Sequence, residues 1–163
     1  MSGVLQPDLV AVQCSCFEKS TSRNWLVPLH QDLSIPVAQR VAHPQLRGWS
    51  EKEGALYVQA PIELLQQLVA LRLHVDDCGV DDGPLRVLPG SHRRGLIDDA
   101  AAVAARRNEA EVVCTAPRGS VLVMSPLLLH ASSKGIGSSL RRVLHFVFGP
   151  PALPCGLRWH LAV

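Results

Sequence analysis

The sequence predicts a mainly β fold, an all-β sandwich or barrel such as a jelly roll. Short apolar runs rich in β-branched residues recur along the chain, and only residues 97–109 have the composition of a confident helix. Because regular helices do not separate the predicted strands, a Rossmann-like fold is disfavoured. At 163 residues, with 47% apolar and 18% charged residues, the chain is expected to form one domain over residues 1–163.

The predicted strands are apolar segments with partial alternation of side chains. They cover residues 9–17, 68–75, 110–115, 120–124 and 142–148. Residues 25–37 are also extended, but Pro28 and Pro36 each remove a donor from a strand ladder. This stretch is therefore expected at a sheet edge, or bent at its prolines.

The remaining segments are predicted to be helices, loops and turns. Residues 97–109 are alanine-rich, with acids in the first turn and arginines near the end, which favours a helix. Residues 61–67 predict a second, short helix with proline near its start. Residues 40–59 are polar without periodicity and predict a long surface loop. The proline-rich tail, residues 149–163, predicts irregular coil.

Composition disfavours several classes of partner. Sixteen basic and fourteen acidic residues give a net charge of +2, and no basic stripe of the kind that binds nucleic acid is present. No signal peptide is visible in residues 1–8, and no apolar run reaches the length of about 18 residues that a membrane helix needs. Five cysteines without a CxxC pair predict free thiols. We therefore expect a cytoplasmic protein without nucleic-acid or membrane partners.

His30 and Asp32 form an HxD pair that predicts a metal site. Residues two apart on a strand point to the same face, so the imidazole and the carboxylate can reach one ion. His130, expected to begin a loop after an apolar run, is the best candidate for a third ligand. Two imidazoles and one carboxylate form the facial triad of non-haem Fe(II) oxygenases, which leaves positions open for a bidentate co-substrate and O2.

Arg141, at the start of the last predicted strand, is the candidate anchor for a co-substrate carboxylate. A guanidinium is the natural bidentate partner of a carboxylate in a buried pocket. Its neighbour Arg142 leaves open which of the two side chains turns inward, and the alternative is that Arg141 is a surface charge.

Three further polar residues are candidates for co-substrate or substrate contact. Gln13 lies mid-strand among apolar residues, where a buried amide usually has a partner. Arg72 and His74 share one face of the strand at residues 68–75 and are unexpected there unless that face lines a cavity. The alternative is that this face is exposed and that the core is formed by Leu71, Leu73 and Val75.

Other polar and aromatic residues are expected to play no part in the site. Lys19, at the end of the first strand, is predicted to be a solvated charge. Trp25 either lines the pocket or packs against a loop, and packing is favoured. The histidines without a companion signal are expected to be structural or exposed; these are His43, His145 and His160.

Three sequence blocks resemble the phytanoyl-CoA dioxygenase family. Residues 28–32 (PLHQD) resemble its WHQD signature, and residues 85–92 (LRVLPGSH) resemble its PGSH segment. Residues 119–142 are similar to the family block that holds a histidine and ends in paired arginines. In two respects the chain departs from the family. Leu29 stands where tryptophan is most frequent, and the largely helical portion that normally precedes the first strand is missing here. A fragment, a mis-called start and a minimal homologue all fit this difference, and the first two would make this an N-terminally truncated domain.

The resemblance implies a double-stranded β-helix core of the jelly-roll or cupin type. It also implies Fe(II), with 2-oxoglutarate and O2 as co-substrates. His30, Asp32 and His130 would be the iron ligands, and Arg141 would hold the distal carboxylate of 2-oxoglutarate.

The expected reaction is hydroxylation of an aliphatic C–H bond in a small organic or acyl substrate, with release of succinate and CO2. The alternative is a truncated, non-catalytic relative of the same fold that binds a ligand or a partner. A shortened N-terminus would also leave apolar surface exposed, which predicts self-association into a homo-oligomer.

Overall fold

The computed structural model describes residues 8–163, which form eleven β-strands and two α-helices. The strands are β1 (Val10–Lys19), β2 (Val27–His30), β3 (Ser34–Val37), β4 (Arg47–Lys52), β5 (Ala55–Gln59), β6 (Val69–His74), β7 (Leu85–Val87), β8 (Val112–Cys114), β9 (Val121–Met124), β10 (His130–Ser132) and β11 (Arg141–Gly149). The helices are α1 (Ile62–Leu65) and α2 (Asp99–Asn108). None of the described helices is long and apolar enough to cross a membrane.

The strands build two four-stranded antiparallel sheets and one smaller sheet. The major sheet has the order β1-β11-β6-β9, and the minor sheet has the order β2-β10-β7-β8. A three-stranded sheet, β3-β5-β4, extends the structure beside them. The major and minor sheets enclose a common cavity, which is the arrangement of a double-stranded β-helix, so the predicted fold class is confirmed.

The two faces of the major sheet differ in polarity. Directly paired residues share a face, and the register places Lys19 opposite Arg141, and His145 opposite both Ser15 and Arg72. This polar face points inward to the cavity. The outward face is apolar and half-buried or exposed; it comprises Cys14, Cys16, Leu71, Leu73, Val121, Val123, Leu144 and Phe146.

The largest apolar core lies beside the cavity, where the small sheet meets α1 and the C-terminal tail. Val37 and Val58 are fully buried in it, and Trp159 is 7% exposed and donates from its indole nitrogen to the carbonyl of Pro150 at 2.8 Å. Gly149 permits this packing because a Cβ there would lie 2.7 Å from the Trp159 ring and 2.8 Å from Leu68. The tail is irregular, as predicted, but it completes the core.

The predicted surface loop at residues 40–59 is wrong over its second half. Residues 47–59 form a hairpin of β4 and β5, and its turn places Glu53 and Gly54 at φ values of 50° and 78°. Two consecutive positive φ values are typical of the type I′ turns that join tightly twisted strands. The hairpin escaped prediction because β4 (RGWSEK) is mostly exposed and lacks apolar alternation.

The predicted extended stretch at residues 25–37 forms two edge strands. Pro28 lies in β2 at the edge of the minor sheet, and Pro36 lies in β3 at the edge of the small sheet. The prediction from the missing backbone donors is confirmed. Between the two strands, the short connection carries the acidic residue of the HxD pair.

The helix predicted at residues 97–109 is α2, and it lies behind the metal-ligand candidates. Asp98 caps it by accepting a hydrogen bond from the backbone nitrogen of Ala101 at 2.8 Å. The buried alanines of this helix pack in one cluster with Leu29 and Leu129. Each of these leucines directly precedes a histidine of the candidate site, so α2 supports both ligand strands.

Candidate metal centre

His30, Asp32 and His130 converge on one point between two neighbouring strands. His30 ends β2, and His130 begins β10, where the antiparallel register pairs the two histidines directly. The prediction that His130 begins a loop is therefore wrong, because it is the first residue of a short strand. Asp32 Oδ1 lies 3.3 Å from His30 Nε2, and Oδ2 lies 3.6 Å from His130 Nε2. The three ligand atoms all lie within 4.8 Å of one another.

Backbone carbonyls fix the orientation of both imidazoles. His30 Nδ1 lies 2.8 Å from the carbonyl oxygen of Pro28, and His130 Nδ1 lies 2.8 Å from that of Leu128. A ring nitrogen that donates to a carbonyl leaves the other nitrogen unprotonated, with its lone pair free for a metal. In the neutral form of each ring, the free nitrogen is the Nε2 that faces Asp32; when His30 is protonated, the same Nε2 donates a hydrogen bond to Asp32.

Two buried side chains hold the backbone on which these ligands sit. Gln31 donates to the carbonyls of Gly95 at 2.9 Å and Leu127 at 2.7 Å, and it accepts from the nitrogen of Ile97 at 2.9 Å. Ser91 of the PGSH segment accepts from the nitrogen of Leu129 at 2.9 Å. Sequence reasoning missed both supporting roles, although the motif blocks contain both residues.

The local environment favours the metal-binding protonation states of Asp32 and His130. Desolvation raises the pKa of Asp32, but the hydrogen bond from His30 and the charges of His130 and His30 outweigh it and lower that pKa to about 2. The hydrogen bond to Asp32 raises the pKa of His30, whereas burial lowers the pKa of His130. Asp32 is therefore a carboxylate and His130 a neutral imidazole near neutral pH, which are the forms that bind a metal.

The three residues open into a cavity of about 540 Å³ between the two large sheets. The side chains of His30 and Asp32 keep 35% and 40% of their surface exposed, so one side of the group remains accessible. A metal held here would keep coordination positions open to the cavity, as a catalytic site requires and a structural site does not.

Of the two adjacent arginines, Arg141 points into this cavity. It is 3% exposed, and its Nε is buried without a hydrogen-bond partner among residues 8–163. Arg142 points to the other side of the sheet, where its Nε and Nη2 donate to Asp76 at 2.8 and 2.9 Å. Among the described residues, the buried guanidinium of Arg141 therefore has no carboxylate partner.

The profile of the phytanoyl-CoA dioxygenase (PhyH) family matches residues 2–143. The chain belongs to the phytanoyl-CoA dioxygenase family. No curated protein matches it at a significant level.

Solved structures share the fold of this phytanoyl-CoA dioxygenase family member. AviO1 from Streptomyces viridochromogenes Tue57 is 26% identical, with a TM-score of 0.62 over 90% of this chain and 53% of that one. EctD from S. alaskensis in its apo form is 18% identical, with a TM-score of 0.64 over 95% of this chain and 52% of that one. The non-haem α-ketoglutarate-dependent carbocyclase SnoK from nogalamycin biosynthesis is 16% identical, with a TM-score of 0.61 over 91% of this chain and 55% of that one. The chain thus spans about half the length of each of these structures.

Membership of the phytanoyl-CoA dioxygenase family implies Fe(II), 2-oxoglutarate and O2 as cofactors. The donor set fits the metal, because two imidazole nitrogens and a carboxylate are the ligands of a facial triad. The separations of 3.3 and 3.6 Å are also close to the roughly 3 Å expected between neighbouring ligand atoms at bond lengths of about 2.1 Å. The unpartnered Nε of Arg141 fits a co-substrate carboxylate.

The structure places the other predicted residues as follows. Arg72 is 8% exposed and lines the cavity, where its Nη1 donates to His145 Nδ1 at 3.3 Å. Gln13 also lines the cavity, with its amide nitrogen 3.2 Å from the hydroxyl of Ser15. His74 is buried on the same inward face, but it is not among the residues that line the cavity. The alternative in which this face of β6 is exposed is wrong.

Three residues that were expected to lie outside the site line the cavity. Lys19 is 3% exposed and not solvated, and Trp25 lies at its side, with the ammonium 5.7 Å from the ring centroid. His145 is 4% exposed, and burial followed by the charge of Arg72 lowers its pKa to about 4. His145 is therefore a neutral acceptor for Arg72. The register with Arg141 and Arg72 is the signal that identifies Lys19 and His145, and it requires the strand pairing to be known.

Proposed function

We propose that this chain is an Fe(II)/2-oxoglutarate-dependent dioxygenase domain that hydroxylates an aliphatic C–H bond of a small organic or acyl substrate, releasing succinate and CO2. The observation that carries the proposal is the convergence of His30, Asp32 and His130 in a cavity that also holds the buried, unpaired Arg141. Either feature alone also occurs in sites of other kinds, but a triad beside a carboxylate anchor matches the needs of a 2-oxoglutarate site.

The proposed roles follow from the position of each residue. Fe(II), held by His30, Asp32 and His130, supplies the oxidising chemistry with 2-oxoglutarate and O2 when these are bound. Arg141 binds the distal carboxylate of the co-substrate through paired hydrogen bonds, which fixes its distance from the metal. Arg72 adds a second buried positive charge to the cavity and contacts either the co-substrate or an acidic group of the substrate.

The apolar part of the cavity is the proposed substrate chamber. Its walls include Val12, Leu33, Ile35, Leu68 and Trp159, side chains that exclude water and suit an aliphatic group. Because Asp32 occupies the carboxylate position of the triad, no small residue leaves room there for a halide ligand, so hydroxylation is favoured over halogenation.

Metal and co-substrate binding provide the first test. Under anaerobic conditions, the protein with Fe(II) and 2-oxoglutarate is expected to show a visible charge-transfer band. Asp32→Ala and His130→Ala should abolish the band, whereas Arg142→Met, which changes the outward arginine, should leave it intact. A wild-type protein that stays colourless and retains no Fe(II) would overturn the proposal.

A non-catalytic binding module is the second candidate function, because the chain spans about half the length of its structural neighbours. Succinate formation in the presence of candidate aliphatic substrates separates the two functions. Release of succinate that rises when a substrate is added supports the oxygenase. Iron and 2-oxoglutarate binding with only background succinate, whatever the substrate, supports a binding module. Light scattering tests the predicted self-association, for which the apolar outward face of the major sheet is the proposed surface.

A further inference from the structure

Cys14 and Cys16 form a pair of exposed thiols on the outward face of the major sheet. Side chains alternate along β1, so that Ser15 and Phe17 line the cavity while Cys14 and Cys16 point away from it. The other three cysteines of the chain are buried or half-buried. Because β1 is an edge strand of the major sheet, the two thiols lie at the margin of this face, where a ligand can reach both of them.

The pairing of β1 with β11 fixes the spacing of the two thiols. Cys14 pairs with Phe146 and Cys16 pairs with Leu144, and the register shift in this pair of strands lies earlier, between residues 11 and 13. In such a regular stretch, the Cβ atoms of residues two apart are separated by about 6.7 Å. A disulfide requires Cβ atoms about 3.8 Å apart. The two thiols are therefore too far apart to form a disulfide with each other while β1 keeps its register.

The same spacing suits a metal ion that is held by two sulfur atoms in a line. With metal–sulfur bonds of about 2.3 Å, the two sulfur atoms of such a complex lie about 4.6 Å apart. Each thiol then has to lean towards the other by only about 1 Å along the strand, a movement that a change of side-chain rotamer supplies. The backbone of β1 can therefore keep its pairing with β11 when the ion binds.

The number of donors favours one kind of ion. Thiolate ligands are soft and favour Cu(I), zinc and iron–sulfur clusters. Structural zinc takes four ligands, and iron–sulfur clusters are held by four cysteines in most proteins. Within residues 8–163, the only group of three or more histidine, cysteine or acidic side chains that could share an ion is His30, Asp32 and His130. Two sulfur atoms without a third such donor satisfy Cu(I), which accepts two ligands in a linear arrangement.

The neighbouring side chains suit the charge of this complex. A Cu(I) ion bound by two thiolates carries one net negative charge. Arg142 lies on the same outward face, one step along β11 from the partner of Cys16 on that face, and supplies a positive charge nearby. The apolar side chains of Leu144 and Phe146, which lie opposite the two cysteines, keep water from one side of the sulfur atoms.

We propose that Cys14 and Cys16 form a surface site for a soft, two-coordinate metal ion of the Cu(I) class. Binding replaces two S–H bonds by two metal–sulfur bonds and releases two protons. No electron is transferred, so the step needs neither an oxidant nor a reductant. The site lies on the opposite face of the major sheet from the cavity, and it does not depend on the proposed function.

Anaerobic competition with the Cu(I) chelator bathocuproine disulfonate measures the affinity and the number of ions bound. The wild-type protein is expected to bind one Cu(I) per chain, with two sulfur neighbours in the X-ray absorption spectrum of copper. Cys14→Ser and Cys16→Ser should each weaken binding by about 100-fold or more, because a single thiol loses the gain from two linked ligands. Cys155→Ser, which removes a half-buried thiol elsewhere, should match the wild type. Fe(II) and 2-oxoglutarate binding should be unchanged in all three variants.

Three results would overturn the proposal while leaving the proposed function intact. Equal Cu(I) affinity in the wild type and in Cys16→Ser would show that the thiols act singly. Cu(I) binding that is lost in His130→Ala but kept in Cys14→Ser would place the ion at the candidate metal centre. One Cu(I) per two chains, with a dimer by light scattering, would show that the sulfur ligands come from different chains. Because both cysteines are exposed, the serine variants should keep the wild-type melting temperature, so a loss of affinity reports on the site.

Discussion

Replacing His145 with glutamine is expected to make the protein less sensitive to acid. His145 is buried on β11, and its Nδ1 accepts a hydrogen bond from Arg72. Its pKa is about 4 in the folded protein, against an ordinary value of 6.5. The unfolded chain therefore binds a proton between these two pH values, whereas the folded protein does not. The contribution of His145 to the free energy of unfolding is therefore fully present above pH 6.5, and it is lost as the pH falls towards 4.

The size of this effect follows from the two pKa values. Proton linkage at this one group gives a loss of roughly 2 kcal/mol in the free energy of unfolding between pH 8 and pH 5. His145→Gln keeps an oxygen that can accept from Arg72 but cannot titrate in this range. Urea denaturation at several pH values measures the free energy of unfolding of both proteins. Since the two proteins differ at this residue alone, the difference between their pH dependences isolates the contribution of His145. Equal pH dependence in the two proteins would refute the reasoning.

Three further predictions follow from individual contacts. Lys19 lines the cavity directly opposite Arg141, and its pKa is about 8, so the cavity loses positive charge as the pH rises from 7 to 9. The affinity for 2-oxoglutarate should therefore fall over this range, and Lys19→Arg should remove the fall in calorimetric titrations. Gly149→Ala should destabilise the protein by about 1–3 kcal/mol through overpacking against Trp159, measured by urea denaturation, whereas Gly137→Ala, with only ordinary contacts, should change little. Gln31→Ala should lower the free energy of unfolding by about 2–4 kcal/mol, because it leaves buried backbone groups without hydrogen-bond partners. The same substitution should weaken Fe(II) binding. Unchanged Fe(II) affinity would show that the connection between His30 and Asp32 holds its shape without this side chain.

The convergence of His30 and Asp32, two of the three candidate metal ligands, could be predicted from sequence because it is local. His30 and Asp32 are two residues apart, a spacing that brings their side chains together on any extended segment. His130 required the resemblance of a longer block, since its pairing with His30 is a property of the folded sheet. Element types were predictable where composition was distinctive, as for α2, and not where an exposed hairpin strand carried polar residues, as for β4.

The sequence did not reveal which face of each major-sheet strand points into the cavity, and this is the single cause of the errors at Lys19 and His145. Alternation identifies the buried face of a strand only when one face is clearly polar and the other apolar. In β11, Val143 and Val147 point inward while Leu144 and Phe146 point outward, so both faces of the strand carry apolar residues. The choice between Arg141 and Arg142, and between a solvated and a buried Lys19, therefore depended on contacts between strands.

The same sheet shows how the proposed site is balanced against folding. In an ordinary antiparallel sandwich, the inward face is apolar and supplies stability, whereas here it carries Lys19, Arg72 and Arg141. Buried cations without acidic partners oppose folding, so stability must come from elsewhere in the chain. The large apolar cluster around Val37, Val58 and Trp159 lies on the small sheet and the tail, beside the cavity. The chain thus separates the apolar cluster that stabilises the domain from the face that carries these buried cations. Substitutions on that face should therefore alter ligand affinity more than the integrity of the fold.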